Sequence, residues 1–475
     1  MPPKQQKYDA IVIGAGPNGL AAAIAIARAG RSVCLFEASS TVGGGSRSAE
    51  LTLPGFIHDV CSAVHPLAAA SPFFTQLPLQ NHGLEFVFPP AALAHPFDDG
   101  TALIIEQSLD RTAQNLGPDG AAYQKIFSPL VEGWDALSQD LLSPIGMPRH
   151  PFAMARFGLS AIRPAKSFAS AKFKEDKTRT VFAGLAAHSF LSLDQAGTTA
   201  FGLMLGILAH VVGWPVTRGG SQTLADALAS HLTELGGEIV TDHRVESLKD
   251  LPAARAILCD VTPRQLVNIA GESLTAGFRN QLKSYRYGPA AFKVDWALSE
   301  PVPWKAAECR TAATVHLGGS FAEILESEWN ANHNKHSERP FILIAQPSLF
   351  DPTRAPNGQH TLWAYCHVPN GSTFDMQNAI ENQIERFAPG FRDCILARSV
   401  ITPADYERYN PNLIGGDING GLQDLAQMFL RPTRRMYSTS MKNLYLCSSS
   451  TPPGGGVHGL CGYHAAQVAL RKSLR

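Results

Sequence analysis

The hydrophobic pattern is clearest near the N-terminus, where a strand, a glycine turn, a helix and a second strand follow in order. Residues 10–13 are an uninterrupted apolar run, which is typical of a buried parallel strand. The alanine-rich segment 20–29 favours a helix, and Gly30 is placed to end it. Residues 32–36 are a second apolar run. The pattern predicts a β-α-β unit with a parallel sheet.

The turn of this unit carries the spacing G-x-G-x-x-G at Gly14, Gly16 and Gly19. The first glycine allows a tight turn, the second lets a pyrophosphate approach the backbone, and the third lets the helix pack on the strand. Free amides at the helix N-terminus face the phosphate charge. Glu37 ends the second strand, where its carboxylate can accept hydrogen bonds from the ribose hydroxyls of an adenosine. The unit therefore predicts a dinucleotide site.

Related patterns return in the second half of the chain. Residues 222–235 have helical spacing, and residues 238–245 and 254–259 have the pattern of strands. Near the C-terminus a strand at 444–447 leads into three consecutive glycines at 454–456 and then a helix. This arrangement predicts a second anion-binding cradle. The sequence contains no second complete fingerprint, so we expect no separate NAD(P)H domain.

The segments between these units predict a second region. Residues 67–200 carry mixed helical signals, and the apolar stretch 200–216 is short for a membrane span and favours a buried helix. Alternation at 291–298, 341–345 and 360–367 predicts a mixed sheet that forms the floor of a substrate cavity. Lys293 and Asp295 alternate with apolar residues on one of these strands, which favours its solvent face for both.

Composition and charge narrow the class of protein. The 475 residues include 40 Lys plus Arg and 40 Asp plus Glu, and this balance argues against a nucleic-acid partner. The eight cysteines are scattered without a C-x-x-C pair, which argues against a disulfide framework, a zinc site and a flavin disulfide reductase. We expect no metal. Residues 1–7 are short and polar and leave no room for a secretory signal, so we expect a cytoplasmic protein.

A membrane contact is a separate question that the sequence leaves open. Residues 163–179 interleave basic residues with Phe168 and Phe173, which is one pattern of a peripheral contact with an anionic membrane surface. Glu175 and Asp176 interrupt the basic run and favour a solvated helix face.

The residues after Glu37 resemble a known motif, and this resemblance narrows the choice of cofactor. Residues 42–47 read V-G-G-G-S-R, which resembles the G-G-x-x-R/T extension of FAD enzymes in the glutathione-reductase-like superfamily, in the branch of amine oxidases and phytoene desaturases. The resemblance implies FAD rather than NAD as the cofactor. It also implies that the glycines pass beside the pyrophosphate and that Arg47 lies near the phosphates and the ring.

Over almost its whole length the chain resembles the phytoene desaturase family, in the branch of pyridine nucleotide-disulfide oxidoreductase domain-containing protein 2. The motifs that carry this resemblance, besides the fingerprint, are H-P ending at Pro66, P-V-T-R-G-G-S at 215–221, Y-R-Y-G-P-A-A-F-K-V-D-W-A-L at 285–298, D-P-T-R-A-P at 351–356, G-G-D-I-N-G-G at 415–421 and L-Y-L-C-S-S-S-T-P-P-G-G-G-V-H-G at 444–459. The family's last loop often reads G-A-x-x-x-P-G-G-G, whereas serines stand at 448–450 here.

The resemblance implies an α/β fold, with a Rossmann-type FAD-binding domain of the glutathione-reductase-like superfamily and an inserted α+β substrate domain. Segments 1–66, 216–285 and 436–475 are then the discontinuous FAD-binding domain, and segments 67–215 and 286–435 are the substrate domain.

The resemblance also implies site residues. The expected cofactor-binding residues are Gly14, Gly16, Gly19, Glu37, Gly44, Ser46, Arg47, Val245, Gly455, Gly456 and Val457. Val245 is expected to pair its backbone with the adenine edge. The catalytic candidates near the flavin are His458, His65 and Tyr463. The alternative for His458 is a loop residue that is exposed to solvent or caps the last helix, and the alternative for His65 is a polar residue hydrogen-bonded to backbone.

The function implied is that of a flavoprotein oxidoreductase, a dehydrogenase or desaturase that removes hydride from a C–H bond of a lipophilic substrate, for example a polyene or isoprenoid such as a carotenoid precursor. Three alternatives stay open: a flavin-dependent carotenoid-type isomerase, an amine oxidase, and a non-catalytic interaction protein that contains FAD. The substrate, the electron acceptor and the oligomeric state stay open as well.

Overall fold

The computed structural model of the protein describes residues 8–475, so the expectation for residues 1–7 lies outside the described residues. The strands, in chain order, are β1 (Tyr8–Ile13), β2 (Val33–Phe36), β3 (Ser48–Glu50), β4 (Ile57–Asp59), β5 (Phe86–Val87), β6 (Ala91–Pro96), β7 (Ala102–Glu106), β8 (Val216–Thr217), β9 (Glu238–Val240), β10 (Ala254–Cys259), β11 (Ala290–Leu298), β12 (Ala312–Leu317), β13 (Ile342–Ala345), β14 (His360–Val368), β15 (Ile395–Ile401) and β16 (Leu444–Leu446).

The helices, in chain order, are α1 (Pro17–Arg28), α2 (Pro66–Ala69), α3 (Leu109–Asn115), α4 (Gly120–Glu132), α5 (Trp134–Leu141), α6 (Pro151–Ala161), α7 (Ala165–Lys172), α8 (Asp176–Ala187), α9 (Thr198–Val211), α10 (Gln222–Glu234), α11 (Pro263–Ala270), α12 (Ala276–Lys283), α13 (Phe321–Asn332), α14 (Gln377–Phe387), α15 (Pro403–Tyr409), α16 (Leu425–Phe429) and α17 (Leu460–Lys472). In the part of the chain that the structure describes, none of these helices combines the length and apolar character that a membrane crossing needs.

Five strands form a parallel sheet in the order β16-β10-β1-β2-β9. Ile13 pairs with Cys259 on one side and with Phe36 on the other, so these three strands end together at one edge. Helix α1 crosses from β1 to β2 and is buried along most of its length. This is the Rossmann-type unit that the fingerprint predicts, and its ligand edge lies beyond the carboxyl ends of the strands.

Seven strands form the predicted mixed sheet, in the order β15-β11-β14-β13-β12-β6-β7. The prediction that Lys293 and Asp295 face solvent is wrong, because all nine residues of β11 are buried and both charged side chains are fully inaccessible. The physical reason is that β11 lies between β14 and β15 and the sheet is covered on both faces, so alternation along the strand does not mark a wet face.

The structure bears on three further predictions. The predicted strand 238–245 ends at Val240, because Asp242 takes a positive φ of 52° and the chain turns so that the His243 amide donates to the carbonyl of Glu37. The predicted buried helix in 200–216 is α9. Phe168 and Phe173 are both buried, so the stretch 163–179 presents no aromatic face.

The structure confirms the α/β fold class with a Rossmann-type domain and a second α+β region. The strands of the parallel sheet fall inside the segments expected for the nucleotide domain, and those of the mixed sheet fall inside the segments expected for the substrate domain. The domain boundaries themselves stay a prediction.

Candidate functional site

One cavity of about 600 Å³ extends from the glycine turn of the parallel sheet to the mixed sheet. Its volume lies in the range of small-molecule and cofactor sites. Residues at the ends of the parallel strands, residues of the mixed sheet, and residues on or next to helices α8 and α9 line the cavity. The cavity therefore lies between the parallel sheet and the mixed sheet.

The glycine turn leaves no room for side chains. A Cβ at Gly19 would lie 1.9 Å from the carbonyl oxygen of Gly14, and a Cβ at Gly44 would lie 3.1 Å from the Cα of Gly16. The turn also gives Gly14 a positive φ of 97°, a conformation that favours glycine. Two bare backbone segments therefore pass each other at the N-terminus of α1, which has the form of a cradle for a diphosphate.

Glu37 is held in place by three hydrogen bonds at the end of β2. Its two carboxylate oxygens accept from the amides of Ala15 at 2.8 Å and Ser39 at 2.9 Å, and from the guanidinium of Arg47 at 3.1 Å. Arg47 also donates to the carbonyl of Thr41. Arg47 therefore orients the acid, and the acid borders the cavity with only part of its acceptor capacity free.

Asp260 is a site residue that the sequence reasoning missed. It follows β10 directly, borders the cavity and accepts a hydrogen bond from the Gly19 amide at 2.8 Å. Burial, with the negative charge of Glu37 adding to it, raises the pKa of Asp260 to about 7, although the Gly19 amide acts in the opposite direction. Its place at the carboxyl end of a parallel strand beside β1 was the available signal.

Of the other predicted cofactor residues, most border the cavity and two do not. Those that border it are Gly14, Gly16, Glu37, Gly44, Ser46, Arg47, Val245, Gly456 and Val457. Gly19 lies behind the turn against Asp260, and a Cβ at Gly455 would lie 3.0 Å from the carbonyl oxygen of Asn419. These two glycines serve close packing around the cradle.

The structure places two of the three catalytic candidates outside the cavity lining. His458 is buried, its Nε2 donates to the carbonyl of Gly454, and its Nδ1 accepts from the amide of Leu460 at 3.0 Å. It therefore caps α17. Tyr463 stacks on Phe73 with ring centroids 4.7 Å apart. Both side chains hold the C-terminal loop and helix in place.

His65 does border the cavity, and its protonation can be worked out from its neighbours. The Ser221 hydroxyl donates to the carbonyl of Ser62, so it accepts from Nε2 of His65 at 2.7 Å. Nδ1 then carries a lone pair, and it has no partner among the described residues. Burial lowers the pKa of His65 to about 4, so the ring is neutral at physiological pH.

The part of the cavity against the mixed sheet is apolar and aromatic. The mixed sheet contributes Thr314, Leu343, Trp363 and Tyr365. The helices contribute Leu205 on α9, with His188 just after α8 and Trp214 just after α9. The sequence reasoning placed a sheet here as the floor of a cavity but named none of these side chains. Trp363 and Tyr365 share one face of a predicted strand, and this alternation was the signal for them.

A buried ion pair lies behind this floor. Lys293 contacts Asp295, and its Nζ lies 5.9 Å from the ring centroid of Trp363. His58 lies on the other side of Asp295, with 3.5 Å between Nδ1 and Oδ1. Burial lowers the pKa of Lys293, against the opposing effect of Asp295. Charged groups therefore lie close to the cavity without facing it.

The cysteines do not form a redox pair. Cys61 borders the cavity, and burial raises the pKa of its thiol to about 11. All eight cysteines, which lie in the described part of the chain, are free. Away from the cavity, one group of metal-ligand type occurs among residues 8–475, and it consists of His82, His231 and Glu234. Both histidines hydrogen-bond to the carboxylate of Glu234.

Comparison with known proteins agrees with this geometry. A family model described as an NAD(P)-binding Rossmann-like domain matches residues 12–77. A rat protein, pyridine nucleotide-disulfide oxidoreductase domain-containing protein 2, is 26% identical over 98% of this chain and 94% of its own. A neurosporene-forming phytoene desaturase from Rhodobacter capsulatus is 25% identical over 95% of this chain and 92% of its own. The chain is therefore similar to a phytoene desaturase over almost its whole length.

The solved structures agree on the fold. An oxidoreductase from Methanosarcina mazei superposes with a TM-score of 0.67 at 16% identity, over 98% of this chain and 100% of its own. At this identity the likeness concerns the fold alone. The similarity to these full-length relatives confirms the expected class of flavin-dependent oxidoreductase. A flavin-type dinucleotide fits the bare cradle and Glu37.

The buried ion pair generates a test of stability. The change Asp295→Asn should lower the free energy of unfolding by about 3–5 kcal/mol, because it leaves the Lys293 ammonium buried without its counter-charge. The double change Lys293→Met with Asp295→Leu should recover most of this loss, since an apolar pair of similar volume is often neutral. Denaturant unfolding of matched samples measures both effects.

The matched control is Lys177→Met, which breaks an ion pair with Asp99 at the surface. An exposed pair contributes at most about 1 kcal/mol. If Asp295→Asn lowers the free energy of unfolding by no more than Lys177→Met does, the pair of Lys293 and Asp295 is not buried as described.

Proposed function

We propose that the protein is an FAD-dependent dehydrogenase or desaturase that removes hydride from a C–H bond of a lipophilic substrate. One observation carries the proposal: the same cavity borders the bare glycine cradle with Glu37 at one end and an aromatic and apolar chamber at the other. A bound dinucleotide would therefore leave the chamber for a second, apolar molecule. Relatives named phytoene desaturase and hydroxyneurosporene desaturase match almost the whole of this chain, which supports a desaturase reaction.

The residues present fit FAD. Glu37 offers acceptor capacity to ribose hydroxyls, and its charge disfavours a 2′-phosphate. The amides at the N-terminus of α1 suit the diphosphate. Gly44 and Gly456 border the cavity without side chains, and a Cβ at Gly456 would lie 2.5 Å from Leu67. Arg47 orients Glu37, and we assign it no contact with the phosphates.

When bound, the flavin supplies the hydride acceptor. Desaturation also removes a proton from the neighbouring carbon, and that proton needs an acceptor. His65 is our candidate, because its Nδ1 lone pair is unpartnered and its Nε2 is fixed on Ser221. The lowered pKa of His65 keeps Nδ1 unprotonated at physiological pH. Because the protonated ring is disfavoured, a proton that His65 accepts must pass rapidly to another group. Leu205, Trp214 and Leu343 exclude water from the chamber.

The test begins with the absorption spectrum of the purified protein after reconstitution with FAD. We expect a bound flavin, and anaerobic loss of its colour when a lipophilic C–H donor is added. A product that has lost two hydrogens identifies a dehydrogenase, whereas an unchanged mass identifies an isomerase. Release of hydrogen peroxide with amines identifies an amine oxidase. A folded protein that takes up no FAD contradicts the proposal.

Asp260 generates a pH prediction for FAD affinity. A diphosphate at the N-terminus of α1 would lie beside the Asp260 carboxyl, which disfavours the ionised acid. Because the pKa of Asp260 is about 7, FAD should bind most tightly below that pH and more weakly above it. The expected loss is up to about tenfold per pH unit above the pKa.

The measurement is quenching of flavin fluorescence at a series of pH values, with the protein in excess. Asp260→Asn is the matched variant, and its FAD affinity should change little over the same range. The same pH slope in wild type and variant, or no slope in wild type, would contradict the assignment.

We further propose a peripheral contact with an anionic membrane, and we assign it to helix α6 and the loop before it rather than to 163–179. Met147, Phe152 and Leu159 are 96%, 90% and 74% exposed on α6 and the loop that leads to it. The sequence from 141 to 174 contains six Lys or Arg and no Asp or Glu. Exposed apolar side chains with a basic surround are the pattern of a helix that lies in a membrane interface.

Sedimentation with anionic and neutral vesicles tests this surface. We expect binding to the anionic vesicles, weakened by salt, and loss of binding in the double variant Phe152→Asp with Leu159→Asp. Leu396→Asp is the control, because Leu396 is an exposed apolar residue on the edge strand β15. Equal binding of both variants would show that α6 is not the contact.

A further inference from the structure

The chamber against the mixed sheet contains a pair of histidines that no part of the proposed redox step uses. His188 follows α8 and borders the cavity, and His316 lies on β12 and is fully buried. Their Nε2 atoms are 3.1 Å apart, which is the distance of a hydrogen bond. One ring must donate and the other must accept.

The surroundings of His316 decide which of the two rings donates the hydrogen bond. Its Nδ1 has no hydrogen-bond partner among the described residues, and it faces the backbone of α8 at Gly184, where a Cβ would lie 2.7 Å from it. If His188 were the donor, the proton of His316 would sit on this Nδ1 and be buried without an acceptor. A buried N–H without a partner is rarer than an unpartnered acceptor. His316 is therefore the donor through Nε2.

This assignment fixes the proton on His188. Burial, with the nearby His367 adding to it, lowers the pKa of His188 to about 3, so the ring is neutral and carries one proton. Its Nε2 accepts from His316, so the proton is on Nδ1. In the described part of the chain Nδ1 has no partner, and His188 borders the chamber. The chamber thus contains a fixed hydrogen-bond donor.

Other polar groups of the chamber agree with a donor-rich, uncharged site. The hydroxyls of Thr314 and Tyr365 border the same space and make no hydrogen bond to another described side chain. The carboxylates that border the cavity are Glu37, Glu246 and Asp260, and all three belong to the nucleotide end. A cationic amine would find no counter-charge in the chamber. A plain hydrocarbon would leave the His188 donor unpaired, which costs free energy.

We propose that the substrate is a lipophile with a carbonyl oxygen, and that His188 binds this oxygen through Nδ1–H. His316 is a positioning residue that fixes the tautomer of His188. The inference rests on the proposed function in one respect, since it takes the chamber as the substrate site of the FAD-loaded protein. It goes beyond that function by naming the group that the substrate must carry.

The experiment compares three probes of one chain length, 2-tridecanone, 1-tridecene and tridecylamine, in the FAD-loaded protein. Binding is followed by the perturbation of the flavin absorption spectrum, without turnover. We expect the ketone to bind about tenfold more tightly than the alkene, the effect of one buried hydrogen bond, and the amine to bind no better than the alkene. Equal affinities for ketone and alkene would overturn the proposal, as would binding of neither.

Variants assign the effect to His188. His188→Phe should abolish the preference for the ketone, whereas His188→Asn, which can place an N–H near the Nδ1 position, should retain part of it. Leu205→Met alters an apolar residue of the same chamber and should change both affinities without changing their ratio. A ketone preference that persists in His188→Phe would overturn the assignment. If His188→Phe does not fold, a ratio in His188→Asn equal to one would do the same.

The two proposals fail in different ways. The spectrum before any probe is added shows whether FAD is bound, so an absent flavin contradicts the proposed function. A bound flavin with no discrimination between ketone and alkene contradicts only the inference about His188.

Discussion

The close approach of α1 to its neighbours is the constraint on which the rest of the structure depends. At Gly19 a Cβ would collide with the carbonyl of Gly14, and at Gly462 on α17 it would lie 1.7 Å from the carbonyl of Asn18. Bare backbone on both sides lets α1 lie against β1 and against the last helix at once. The N-terminus of α1 is thereby held at the edge where β1, β2 and β10 end, and Glu37 and Asp260 follow those strands directly.

The contact between the two halves of the fold depends on buried charge. Arg354 contacts Asp59, and Asp59 also accepts from the hydroxyl of Ser48 and the amide of Ser221. Burial opposes ionisation of Asp59, but Arg354 and these donors hold its pKa below the usual range. Asp351 accepts from the Gly219 amide at 2.7 Å. The motifs at 215–221 and 351–356 therefore meet in one network that braces the cavity wall, and Ser221 of the first motif also holds Nε2 of His65.

The sequence was most informative where backbone conformation alone sets the structure. The first β-α-β unit is predictable because glycine spacing, apolar runs and Glu37 all act within 30 residues of one another. Lys293 was misplaced because burial of a strand depends on what covers each face, and that follows from contacts distant in sequence. His458 is a catalytic candidate in the sequence because it lies close to three consecutive glycines. In the structure both ring nitrogens of His458 hydrogen-bond to backbone, one to the carbonyl of Gly454 and the other to the amide of Leu460. The residue therefore stabilises the loop and the start of α17.

Two of the histidines that border the cavity, His65 and His188, show why a catalytic residue is hard to find in such a chain. His65 and His188 are both neutral, because burial disfavours the charged ring, and each has one nitrogen fixed by a protein partner. The nitrogens without a protein partner differ, since the buried Nδ1 of His65 carries a lone pair and Nδ1 of His188 is assigned a proton. Residue type alone does not distinguish them. The difference comes from Ser62 behind Ser221 and from the unpartnered Nδ1 of His316, two features that only the folded chain brings next to the site.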